Sequence, residues 1–74
     1  MATFNAIHRR LVLDASNNQN EVDPMDQTDI QHIEDLTEWN FVNEFCILTK
    51  HGRDAAENIK HGLPVHVKKT DLGE

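Results

Sequence analysis

The chain has 74 residues, 13 acidic against 7 basic, and a net charge of −6. That length holds one small domain, near the lower limit at which a single apolar core sustains a fold. A lone cysteine, Cys46, excludes an internal disulfide, and no apolar run approaches the length of a membrane span or a leader, so the composition points to a soluble protein of a reducing, cytoplasmic compartment.

Residues 1–14 read as an N-terminal helix. Thr3 suits the N-cap, Phe4, Ile7 and Leu11 fall on one face, and His8, Arg9 and Arg10 form a basic group. Residues 15–27, ASNNQNEVDPMDQ, are rich in Asn, Asp and Gln and read as a polar flexible loop. So long a loop in so small a domain is expected to be either disordered or functional. Thr28 to Gln31 has the form of a capping box, and Asp29 places negative charge where the helix dipole favours it. The helix predicted over Asp29 to Trp39 carries Ile30, Ile33, Leu36 and Trp39 on an apolar stripe, with Glu34, Asp35 and Glu38 on the wet side. Trp39, the only tryptophan, is expected to close the core rather than to anchor a partner.

The period then changes. Glu44 to Thr49, EFCILT, is a short aromatic and branched run suited to a strand buried on both faces, with Cys46 buried and inert in it. Leu63 to Lys69 alternates Leu63, Val65 and Val67 with His66 and Lys68, as a half-buried edge strand would, and the two strands are expected to pair. Between them the tripeptide Lys-His-Gly occurs twice, ten residues apart. Thr49 can cap a helix, Gly52 in its first turn allows close packing on a neighbour, and Gly62 stands where a helix stops, after Lys60 and His61. The repeat is therefore punctuation around a helix. Residues 28–70 are expected to form an α+β core and 71–74 a tail. The fold class that follows is a small single α+β domain of about three helices with a two-stranded sheet.

Charge is segregated along the chain. Leu11 to Thr49 contains no Lys or Arg and nine acidic residues, whereas Lys50 to Lys69 has five basic residues against Asp54 and Glu57. Separate faces of opposite sign would steer a partner. Zinc ligation by Cys46, His51, His61 and His66 would need one ion to reach both ends of a helix about 15 Å long, so no metal or other cofactor is expected. Glu34 and Glu38 read as a solvated face, Cys46 lies in an apolar setting that disfavours a thiolate, and no glycine-rich phosphate loop occurs, so no enzyme is expected.

The segment ILTKHGRDAAENI, Ile47 to Ile59, resembles the part of winged-helix regulators where the last wing strand turns through Leu-Thr-x-x-Gly-Arg into a final helix, at Leu48, Thr49, Gly52 and Arg53. The resemblance implies a trimmed winged-helix fold. Its DNA-binding function does not carry over, because Glu34, Asp35 and Glu38 on the helix that would enter the groove repel phosphates. In length and charge pattern the chain also resembles the small regulators that bacteriophages use to bind the large subunits of host RNA polymerase. That likeness implies a non-enzymatic protein of the host bacterial cytoplasm that inhibits or redirects transcription by stoichiometric protein–protein contact. Arg9, Arg10, Lys50, Arg53, Lys68 and Lys69 would then meet an acidic patch on the partner. The alternative is a small winged-helix DNA-binding repressor, resting on Leu48 to Arg53 and the basic segment after it.

Overall fold

Three helices form because each has a side chain able to satisfy the free N–H groups of its first turn. In the computed structural model, which describes residues 4–65 and 67, these are α1 (Ala6–Ser16), α2 (Gln27–Glu38) and α3 (Lys50–Lys60). Asn5 caps α1, its Oδ1 accepting from the N–H groups of Ile7 (2.8 Å) and His8 (3.2 Å). The expected cap, Thr3, lies outside the described residues. Asp26 caps α2 by accepting from the Asp29 N–H at 3.0 Å, so the cap lies two residues before Thr28, the first residue of the Thr28–Gln31 box predicted for it. Thr49 caps α3 through the Gly52 N–H at 3.1 Å. Gly62, at φ +72°, follows the helix in the left-handed conformation expected of a stop.

Helix α1 packs on both α3 and α2. Its buried face is His8, Leu11, Val12 and Ala15, a spacing of i, i+3, i+4 and i+7. Phe4 and Ile7, expected on that face, lie at its margin, partly buried against the core. Helix α2 buries Asp29, Ile33 and Leu36, and Trp39 at its C-cap is buried, as expected. Helix α3 buries only small residues, Gly52, Ala55 and Ala56, with Ile59 packed at the margin. Small residues let this helix approach closely: a Cβ on Gly52 would drive into the Phe41 carbonyl. Phe41, Val42 and Leu48 complete the core from the connection between α2 and α3.

The α+β expectation is corrected by this arrangement. Among the described residues there are three helices and no strand or sheet, so the chain is a small all-helical domain. Glu44 to Thr49 does not extend, because Asn43 folds it back. The Asn43 Oδ1 accepts from the N–H groups of Phe45 (2.8 Å) and Ile47 (3.1 Å), and the Cys46 N–H donates to the Asn43 carbonyl (3.0 Å). Cys46 sits at φ +62°, a conformation no strand residue adopts. Only isolated antiparallel bridges remain, Glu21 with Ile47 and Val42 with Leu48. Leu63, first of the second expected strand, donates its N–H to the Asn58 carbonyl at 2.7 Å and so closes α3. Val65 and Val67 pack against the core without strand pairing; His66, Lys68 and Lys69 lie outside the described residues. Among the described residues no strand stands as a wing before the Leu48–Arg53 turn, in which Thr49 caps α3.

The expected 15–27 loop is shorter and more tightly held than its composition suggests. Helix α1 runs on to Ser16, and Gln19 and Asn20 take positive φ. The Asn20 N–H donates to the Ala15 carbonyl (2.7 Å), the Asn20 carbonyl accepts from the Leu48 N–H (2.8 Å), and Val22 is buried. Helix α1 thereby shares one core with α2, α3 and the segment between them.

Candidate functional site

Two clusters of chemically capable residues come together. The first lies between α1 and α2. Asn5 and His8 form a capping box in which the imidazole replaces the usual carboxylate: the Asn5 N–H donates to His8 Nδ1 at 2.9 Å. Because Nδ1 accepts, the ring proton resides on Nε2, which donates to Asp35 Oδ2 at 3.0 Å. Asn5 Nδ2 approaches His32 Nε2 at 3.2 Å, while His32 Nδ1 lies 2.8 Å from the Thr28 carbonyl, to which it donates. Aromatic rings enclose the pair, with His8 against Phe4, His32 and Trp39 at centroid distances of 5.4, 4.6 and 5.0 Å.

A histidine paired with an aspartate suggests proton transfer. His8, however, is only 1 % exposed, with both ring nitrogens engaged, so substrate cannot reach it. Burial lowers its pKa, with the Asp35 hydrogen bond opposing and His32 reinforcing the shift, so the ring is held neutral. The pair is a structural clasp between helices. Asp35, expected on the wet face, is turned partly inward by it. Asn5-x-x-His8 was legible as a capping pattern, but only by letting histidine stand for glutamate.

The second buried polar group is Asp29. Its Oδ2 accepts from the Met25 N–H at 3.0 Å and its Oδ1 from Arg10 Nη2 at 2.5 Å. The Met25 N–H holds the carboxyl below its usual pKa, Arg10 adds to this, and burial opposes it. Arg10 thus ties α1 to the start of α2.

The basic residues singled out in the sequence that are described each have their own surroundings. Arg10 is engaged by Asp29 and lies 4.0 Å from Asp14. Lys50 is exposed and 3.4 Å from Asp54. Arg53 donates to the Leu48 carbonyl at 3.2 Å, and Arg9 is exposed on α1. Lys60 and His61 both approach Glu57. Lys68 and Lys69 lie outside the described residues. Arg10 and Asp29 thus bring together opposite charges distant in sequence, whereas the pairs on α3 join residues three or four positions apart. Among the described residues no group of three His, Cys, Asp or Glu side chains is placed to hold a metal ion: His51 stacks flat on Phe41 at 4.3 Å, and His66 lies outside the described residues. Among those residues no helix is long and apolar enough to cross a membrane.

The second cluster is the turn from Asn43 to Ile47. Phe45 at its tip is 72 % exposed and Ile47 is 37 % exposed, although both were expected in the core. Cys46 between them is partly buried. Glu44 and Glu21, the latter bridged to Ile47, are exposed beside them. This site was missed because hydrophobicity alone cannot report which way a turn directs a side chain; the available signal was Asn43, whose side chain can fold back on its own backbone.

No protein-family model, curated protein or solved structure matches the chain.

Proposed function

We propose that the chain is a non-enzymatic regulator that acts by binding a protein partner stoichiometrically. The observation that carries the reading is Phe45, an aromatic side chain left in solvent on a turn pinned by four hydrogen-bonding groups. Burying a phenylalanine stabilises a fold by about 2 kcal/mol, so displaying one rigidly forgoes a gain that a small core needs. Such a display is what a protein interface uses as an anchor. The closed state of the His8–Asp35 pair further supports a binding role over a catalytic one.

The partner we propose is bacterial RNA polymerase, through its large subunits, in a host cytoplasm. This follows the likeness in size and charge to phage-encoded regulators. Binding would occlude or displace factors at the enzyme surface, with no turnover. Arg9, Lys50 and Arg53, exposed on α1 and α3, are the cations positioned to assist if the partner surface there is acidic. Size-exclusion chromatography with purified bacterial polymerase core tests the assignment. Co-elution at one copy per enzyme, with altered transcript yield from a promoter template, is expected; separate elution at moderate salt contradicts polymerase as the partner.

A further inference from the structure

The Asn43–Ile47 turn combines three properties that together specify an occupant. It is preorganised: the Asn43 side chain holds the N–H groups of Phe45 and Ile47, and the Asn43 N–H donates to the Ile47 carbonyl at 2.9 Å. It presents apolar side chains: Phe45 at the tip and Ile47 beside it. Its border is acidic. Glu44 adjoins Phe45, Glu21 is bridged to Ile47, and Asp23 follows Val22, whose N–H donates to the Cys46 carbonyl at 2.8 Å. Arg53, whose guanidinium donates to the Leu48 carbonyl at 3.2 Å, adds one positive charge against these three carboxylates.

We infer that this turn is the docking element, and that its occupant is a protein surface offering an apolar pocket bordered by Lys or Arg. The inference rests on the protein-binding reading above and adds the chemistry of the partner. Charge selects among the possible occupants. A nucleic acid brings phosphates against Glu21, Asp23 and Glu44, and an anionic membrane brings headgroups of the same sign. A second copy placed across a two-fold axis sets the acidic border against itself. A basic-bordered pocket on another protein meets the phenyl ring with apolar contact and the border with opposite charge. The fixed turn reduces the ordering cost of that contact.

The full chain carrying p-benzoylphenylalanine in place of Phe45, with a control carrying it in place of Glu38 on α2, tests this by photo-crosslinking. The reaction is run in bacterial lysate and with purified polymerase core. Position 45 is expected to give one adduct, identified by mass spectrometry, that unlabelled wild-type chain competes away. Phe45→Ala is expected to need at least about tenfold more competitor, and Glu44→Lys several-fold more. A thermal melt of Phe45→Ala matching wild type shows that this loss is not unfolding. No adduct, an equal adduct from position 38, an adduct with a second copy of the chain, or equal competition by Phe45→Ala overturns the inference. An adduct that meets the competition criteria on a protein other than polymerase upholds the docking element and removes the polymerase assignment. Polymerase binding wild type and Phe45→Ala alike does the reverse.

Discussion

The α1–α2 interface and the Asn43–Ile47 turn invert what their side chains suggest. The first holds histidines, an aspartate and an asparagine, the usual vocabulary of chemistry, yet it is closed and serves packing. The second holds phenylalanine, cysteine and isoleucine, the usual vocabulary of a core, yet its phenylalanine projects into solvent. The difference lies in local hydrogen-bond satisfaction. His8 can be buried because each ring nitrogen has a partner, whereas Phe45 is held out because Asn43 takes the N–H groups a strand would have used.

Substitutions that probe the closed region should have the largest effects. Gly52→Ala sets a methyl group against the Phe41 carbonyl, a backbone atom with little freedom to move, and is expected to cost about 3 kcal/mol or more, read by denaturant titration. His8→Ala removes a buried ring and leaves the Asn5 N–H without its partner and Asp35 without its donor. A loss of about 3 kcal/mol is expected. A much smaller loss would mean that the clasp is not closed.

The same histidine sets the pH dependence. Its folded pKa is below the ordinary 6.5, so the unfolded chain binds the proton more readily. Stability contributed by neutral His8 is therefore fully present above pH 6.5 and is lost as the pH falls from there through the folded pKa. Asp29, also lowered in the folded state, adds a second loss of the same sign below its ordinary 3.8. Thermal melts should be flat with respect to this group above pH 6.5 and decline beneath it. His8→Gln, though less stable throughout, should show a shallower decline between pH 6.5 and 5.

The open region predicts smaller effects. A strand would welcome Cys46→Val, because branched residues favour extended backbone. The left-handed turn rejects it, and a cost of about 1–2 kcal/mol is expected. Phe45→Ala should shift stability by no more than about 0.5 kcal/mol, as an exposed substitution does.

These two regions also mark where the sequence was informative. Helix α3 was legible because its signals are local and independent: Thr49 before it, Gly62 after it, and Gly52 where close packing demanded no side chain. Trp39 was legible as core because size and position agreed. Helix α1 was legible as a helix, but its face was rotated, since His8 was grouped with Arg9 and Arg10 as surface charge when the capping geometry makes it a core residue. Val12 and Ala15 went unnoticed for the same reason. The expected sheet failed on a single residue type. Alternating or continuous apolar character favours a strand only if the backbone is available for pairing, and Asn43 had already engaged it. At the candidate site, the basic residues were visible as a count, while their pairing with Asp29, Asp14 and Asp54 depends on tertiary placement or on which neighbours a helix turn brings together.

The three phenylalanines permit a direct measurement of the inversion. With 4-fluorophenylalanine incorporated throughout, fluorine resonances are assigned by Phe45→Leu and Phe41→Leu, and a soluble paramagnetic agent is titrated in. The account predicts strong relaxation of the Phe45 signal and little at Phe41. Equal protection of both rings would place Phe45 inside the core and contradict the account at its centre.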